Sequence, residues 1–272
     1  MLNNITTIIP IISLATEKEQ QYLIKALGSI KNQRDGLYPK DVLIVCGKDI
    51  SNESTLLFDD FNIDLNIGFI INPSETPTIS SQINLGVETI TTDYFTYLEF
   101  DDEFTPIYFN NVNNYLTQCD DISVLLPLSV DRDEEGKVLK YNNEISFSRE
   151  LTETVGELSH SGLLKVPYFS LSGSIFKKSD FIDIGKLKNN IKYTFFYEYL
   201  LRATDQCQKL VVMPKIGYVH TIGRDGSYND LVSKDNSLTQ EEMGWWYETA
   251  KKEFYFRNID RKLTYKPKLA TV

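Results

Sequence analysis

The sequence predicts an α/β fold: a doubly wound, mostly parallel sheet with helices on both faces, an irregular second half and a C-terminal helix. Three observations predict it. Short apolar, β-branched runs alternate with amphipathic helical segments through the first hundred residues, at the spacing of βαβ units. Periodicity then fades between Asn142 and Tyr168, where the chain reads as a long loop or irregular excursion of the kind used for lids and partner surfaces. It returns as a Tyr- and Phe-rich helix, a short strand and a last amphipathic helix.

In order, Ile5 to Ile12 reads as a buried strand. Thr16 with Glu19 forms a capping-box pattern, and Leu23, Ala26, Leu27 and Ile30 follow at helical spacing. Asp41 to Cys46 (DVLIVC) and Asn66 to Ile71 (NIGFII) are strands. Ser80 to Ile90 places Ile83, Gly86, Val87 and Ile90 on one helical face and leads into a fourth strand within YFTYLEFDDEFTP, Tyr94 to Pro106. Ile122 to Leu128 is a further strand, and DRDEEGK after it has the marks of a solvated hairpin tip. A helix follows around YTFFYEYLLRAT and a strand at LVVMP. In the last helix Ser237 with Gln240, or Thr239 with Glu242, supplies the cap. Met243, Trp246, Tyr247, Ala250 and Phe254 form its apolar stripe, leaving Trp245, Tyr255 and Phe256 as aromatics for a partner. There is no internal repeat, and residues 1–272 read as a single domain with a helical extension over 231–272.

Of 272 residues, 42% are hydrophobic, an ordinary globular proportion with enough chain for a full core. Acids outnumber Lys plus Arg by 38 to 28, so overall charge argues against a nucleic-acid or anionic-membrane binder. Cys46, Cys119 and Cys207 are too scattered for a metal motif or a disulfide framework, which suits a reducing compartment such as the cytoplasm. The opening apolar run follows no Lys or Arg and contains Pro10, so it reads as a strand and not a signal peptide. No apolar run is long enough for a membrane helix.

The fourth strand ends in Glu99, Asp101, Asp102 and Glu103. Carboxylates this close repel, and burying them unpaired costs several kcal/mol or forces protonation. A divalent cation with oxygen ligands resolves the conflict, as does an exposed, solvated loop. Ligands of doubly wound sheets bind beyond the carboxyl ends of the strands, where this cluster lies, so it is the candidate site.

The order of these pieces resembles the family 2 glycosyltransferases of the GT-A fold. ITTIIPIIS is similar to their opening strand, SSQINLGVETITTDYFTYLEFDDEFTP to their helix, strand and DXD segment, LSGSIFKKSDFIDIGKLKNNIKYTFFYEYLLRAT to their acceptor-side segment, and GYVHTIGRDGS to the stretch carrying a late His. The similarity runs in order from Ile5 to Ser227, and the resemblance implies a nucleotide-binding half over 1–105 and an acceptor-side half over 106–230. It implies that Glu99 and Asp101 fill the DXD positions, Asp102 the acid that follows and His220 the late His, together holding Mn²⁺ or Mg²⁺ against the diphosphate of a nucleotide-sugar donor. An imidazole ligand favours Mn²⁺. Pro10, Asp49, Asn84 and Arg224 are the nucleotide-side candidates, with Lys48 also near the diphosphate.

The chain departs from the family at several positions. Cys46, Gly47 and Lys48 stand where the family carries a base-reading acidic pair, Ile12 and Ser13 where it carries Tyr-Asn, and Ile83 where an Arg is usual. Phe195 and Phe196 replace the Glu-Asp pair that carries the base of inverting members. Glu103, Glu157, His160 and Glu198 are the substitutes, although Glu198 points about 200° around the helix from Phe196.

Two functions follow. One is a metal-dependent nucleotide-sugar transferase with an unusual base. The other is a catalytically inactive GT-A-like structural or regulatory protein that meets a protein partner, or a second copy of itself, through its aromatic second half. IKYTFFYEYLLRAT and VVMPKIGYVHTIGRDGS also resemble, to a lesser degree, GT-A-like proteins of large tailed phages, some labelled prohead-protease inhibitors, which would place the chain in a virion or host cytoplasm. A nucleotidyltransferase is disfavoured, since IPIISLATEKE lacks the Gly-rich, basic loop such enzymes carry after the first strand.

Overall fold

The computed structural model describes residues 2–12, 14, 16–48, 64–151, 154–223, 238–257 and 262–267. One nine-stranded sheet takes strands from both halves of the chain. Its amino-terminal part is β1 (Ile5–Ile11) flanked in parallel by β2 (Asp41–Cys46) and β4 (Tyr94–Tyr97), with β3 (Asn66–Ile71) parallel to β2 at the edge. Beyond β4 comes β8 (Ile175–Lys177), antiparallel to both β4 and β6 (Val124–Arg132). Strand β9 (Leu210–Thr221) runs parallel to β6, and two antiparallel additions finish the sheet: β5 (Glu103–Phe104) on β9 and β7 (Val138–Asn142) on β6. Six strands therefore share one direction, and their carboxyl ends define one edge.

Strand alternation decides which helix each side chain meets. On one face Ile9, Ile11, Val42 and Ile44 share a core with Leu23, Leu27 and Ile30 of α1 (Glu17–Lys31) and with Phe109, Val112 and Leu116 of α3 (Tyr108–Gln118). On the other Ile8, Leu43, Val45 and Phe95 pack with Ile83 and Val87 of α2 (Ile79–Thr89), Phe181 of α5 (Lys178–Asp183), Leu200 and Leu201 of α6 (Phe195–Asp205) and Trp246 of α7 (Gln240–Glu253). Gly86 lets α2 approach β1 closely, because a Cβ there would lie 2.9 Å from Ile8 Cγ2. The Thr16–Glu19 capping box forms as the sequence predicts. α2 starts one residue early, with Thr78 and Ser81 capping each other reciprocally.

The stretch between Asn142 and Tyr168 contains a 3₁₀ turn (Glu144–Phe147) and the short helix α4 (His160–Lys165). The strand read as LVVMP continues to Thr221, and that read as ending at Leu128 continues to Arg132. Only residues 133–137 lie between β6 and β7: Gly136 has φ 87°, and Asp133 accepts from the Lys137 N–H at 2.7 Å. The last helix is capped by Thr239, which accepts from the Glu242 N–H at 3.1 Å, and buries Trp246, Ala250 and Phe254. Tyr255 and Phe256 remain exposed. Among the described residues no helix is long and apolar enough to cross a membrane.

Candidate active site

Between β4 and β5 the chain turns through Glu99–Asp102, and the pairing of Glu103 with Val219 brings the end of β9 alongside. Tyr218 ties the two together: its hydroxyl donates to Asp102 Oδ2 at 2.8 Å and accepts from the Glu99 N–H at 3.2 Å. Asp102 Oδ1 accepts from the Thr221 N–H at 2.9 Å, and its side chain is sealed at 1% exposure. Gly173, at φ +73°, clears room for the Tyr218 ring, which a Cβ would meet at 2.4 Å. Ser172 beside it donates to Glu99 Oε1 at 3.0 Å.

The result is a convergence of Glu99, Asp102 and His220, each presenting a ligand atom within 4.8 Å of the others. Burial pushes the Asp102 carboxyl up, His220 pulls it back, and Glu99 and Asp101 push it further. Burial alone would lower His220, but Asp102, the hydrogen bond that the ring donates to Asp131, and Glu99 outweigh it and raise the ring to about 10. The imidazole carries the proton and Asp102 the negative charge, because both Asp102 oxygens already act as acceptors, as a carboxylate's do.

A cleft of about 290 Å³ opens from this cluster. Glu99, Asp131, His220 and Asn142 line it together with Tyr168, Tyr193, Phe195, Phe196 and Tyr247. Phe196 stacks on Tyr97 with ring centroids 5.2 Å apart, so it forms a wall of the cleft and does not plug it.

The sequence profile of the family described as glycosyl transferase family 2 matches residues 11–185, most of the chain. The chain belongs to glycosyl transferase family 2. Among solved structures it is similar to S. aureus TarS 1–349, with a TM-score of 0.58 at 15% identity, covering 80% of this chain and 60% of that one. TarS 1–349 in complex with UDP gives 0.59 at 15% identity, and in complex with UDP-GlcNAc 0.59 at 14%, each covering 93% of this chain and 72% of the other. The chain thus spans 60% of the first of these structures and 72% of the complexes. Identities this low establish a shared fold, the GT-A-like sheet described above. None of the curated proteins matches the chain.

Within this family 2 domain the sequence-predicted residues fall in different places. Glu99, Asp102 and His220 come together; Asp101, half-buried, is not in their group. Pro10 is buried inside β1, in register with Val45. Asn84 faces the interior, donating to the Leu187 carbonyl at 2.8 Å and accepting from the Leu187 N–H at 3.0 Å, and so holds a loop in place of a ligand. Asp49 and Arg224 lie outside the described residues.

The proposed base substitutes do not reach the cleft. Glu103 turns the other way, to Lys25 at 3.0 Å and to Arg132. Glu198 is fully buried, bound bidentately by Arg202 at 2.9 Å and by Lys188 at 2.7 Å, an ion cluster that neutralises it inside the core. His160 sits against the Leu201 carbonyl at 3.2 Å, and with Glu157 it lines a separate cavity near Asp180 and Cys207.

Sequence reading missed Asp131 and Asn142. Asp131 Oδ1 lies 3.3 Å from His220 Nδ1 and accepts from Asn142 Nδ2 at 2.7 Å. DRDEEGK reads as a turn because its charges are dense, yet its first two residues still belong to β6. The one available signal was the apolar run VLLPLSV directly before it, long enough to carry a strand beyond Leu128.

Proposed function

We propose that this domain is a divalent-metal-dependent glycosyltransferase that takes a uridine diphosphate sugar as donor. The observation that carries the reading is the convergence of Glu99, Asp102 and His220 at the mouth of an open cleft, at the carboxyl edge of a GT-A-like sheet. The donor set suits a cation: two carboxylates, one of them kept from water, and an imidazole whose proton a bound ion would replace. A mixed oxygen and nitrogen set favours Mn²⁺ over Mg²⁺. A bound divalent ion supplies charge neutralisation on the departing diphosphate. The fold shared with TarS, whose structures include complexes with UDP and UDP-GlcNAc, supports a uridine nucleotide.

The chain's own residues have distinct tasks in this reading. Tyr218 and the Thr221 N–H orient Asp102, Ser172 orients Glu99, and Asp131 orients the His220 ring through one nitrogen.

One observation favours a second reading, binding without turnover. Phe195 and Phe196 stand at the start of α6, where inverting relatives carry their base, and neither can accept a proton. The carboxylates lining the cleft are Glu99, engaged in the cluster, and Asp131, whose pKa is lowered as His220 and Asn142 outweigh the effect of its burial. Calorimetric titration of UDP with and without Mn²⁺, on wild type, Asp101→Ala and Glu99→Gln, tests the nucleotide site. Metal-dependent heat lost in Glu99→Gln, with the fold intact by circular dichroism, supports it; no heat in wild type refutes it. Donor hydrolysis and transfer assays then separate the two readings.

A further inference from the structure

We propose that Arg132 is a positioning residue for Asp102, acting on the candidate metal cluster from the opposite face of the sheet. The inference rests on the metal site of the reading above and adds a residue to it. Strand alternation separates the two faces. β6 runs beside β9 with Asp131 in register with His220 and Arg132 with Thr221, while Glu103 of β5 pairs with Val219. Asp131 and His220 line the cleft; Arg132, Glu103 and Val219 line a separate cavity of about 520 Å³ against α1. On that far face one guanidinium makes two contacts. Its Nε donates to Thr221 Oγ1 at 3.2 Å, and its Nη2 donates to Glu103 Oε1. Thr221 in turn donates its N–H to Asp102 Oδ1 at 2.9 Å, and Glu103 directly follows Asp102 in the chain. Arg132, Thr221, Asp102 and Glu103 thus close a ring around the most deeply buried acid of the cluster.

The chemistry of the ring calls for an arginine. A planar fork presents two donors at a fixed angle to two different acceptors, whereas an ammonium presents its donors from one point. The Arg132 and Glu103 side chains are only 24% and 22% exposed, so water competes weakly for their contact. Charge alone predicts the reverse of orientation at this place. A guanidinium behind the cluster repels a divalent cation, so deleting it tightens metal binding if Coulomb forces dominate. Orientation predicts weakening, because partners that hold metal ligands in place are worth about 10–100-fold in affinity. The sign of the change therefore separates positioning from electrostatics.

The test measures two things on the full chain: Mn²⁺ affinity by calorimetry, and hydrogen exchange of the Thr221 N–H by NMR in the metal-free protein. Arg132→Met removes the fork, Thr221→Val removes its hydroxyl acceptor without changing charge, and Thr221→Ser restores that acceptor. Lys25→Met is the charge control, since Lys25 meets Glu103 at 3.0 Å from α1. The proposal expects Arg132→Met and Thr221→Val each to weaken Mn²⁺ by about tenfold or more and to speed exchange at Thr221 while the β1–β2 ladder keeps its wild-type rates. Thr221→Ser should match wild type, the double variant should be no worse than either single one, and Lys25→Met should not weaken the metal. Circular dichroism checks the fold, and Thr221→Val decides alone if Arg132→Met does not fold. Wild-type exchange at Thr221 in the variants overturns the proposal, as does Mn²⁺ affinity that holds or rises when wild type binds the ion. If wild type binds no Mn²⁺, the metal reading falls, and the exchange rates by themselves decide whether Arg132 positions Asp102.

Discussion

Tyr218 donates its phenolic hydrogen to Asp102 Oδ2 at 2.8 Å, across 116 residues of sequence, with both side chains sealed from solvent. That bond joins the acidic turn after β4 to the end of β9, and with it Glu99 and Asp102 to His220. Tyr218→Phe keeps the ring against Gly173 and removes only the donor. Leaving a buried charged acceptor short of one hydrogen bond costs about 1.5–3 kcal/mol, so denaturant unfolding is expected to show a loss in that range and titration a weakened Mn²⁺ affinity.

Metal binding is expected to strengthen as pH rises. The His220 ring is held at about 10, so below that pH it carries a proton that a metal must expel. Expelling one proton makes the apparent affinity rise by up to about tenfold per pH unit. Calorimetry in buffers of different ionisation enthalpy measures the proton released, and His220→Gln should flatten the slope. In the metal-free protein the sign is the opposite. A pKa raised from 6.5 to about 10 contributes stability that is complete below 6.5 and lost as pH rises through 10. The wild-type melting temperature should therefore fall over that window relative to His220→Gln.

Glu198→Gln separates structure from catalysis. Glu198 neutralises Arg202 and Lys188, and Lys188 also reaches the Glu253 carbonyl at the end of α7. Removing one partner of a buried ion cluster costs about 3–5 kcal/mol. Unfolding measurements should show that loss, while UDP and Mn²⁺ affinities of the folded fraction stay at wild-type values. A large affinity change with little destabilisation would return Glu198 to the list of catalytic candidates.

Gly173→Ala should damage the cluster without touching an acid. Its positive φ costs an alanine about 1–2 kcal/mol, and the added methyl would displace the Tyr218 ring. The expected result is a lower melting temperature with reduced Mn²⁺ binding. Gly136→Ala is the control: it too has positive φ, but a Cβ there meets nothing within 4 Å, so it should affect stability alone.

What the sequence determined by itself was local. β-branched runs, the Thr16 capping box and the 3.6-residue apolar periods of α1, α2 and α7 specify the alternating elements, because each depends on neighbours within one or two turns. An apolar strand ending in Glu99, Asp101 and Asp102 also marked the edge where a site belongs. The tertiary structure decided which acids meet. Asp102 and not Asp101 joins Glu99 because the turn before β5 sends Asp102 inward to Tyr218 and Thr221, a pairing made only when β9 docks against β5. Asp131 entered the site because β6 runs two residues into the charged stretch that reads as a turn, its ladder with β9 outweighing that stretch's local preference. Glu198 left it because the helical rotation that separates it from Phe196 faces it into the core, where Arg202 and Lys188 wait. Acid strings in a sequence carry no record of which side of a sheet or helix will be buried; that is set by packing between segments a hundred residues apart.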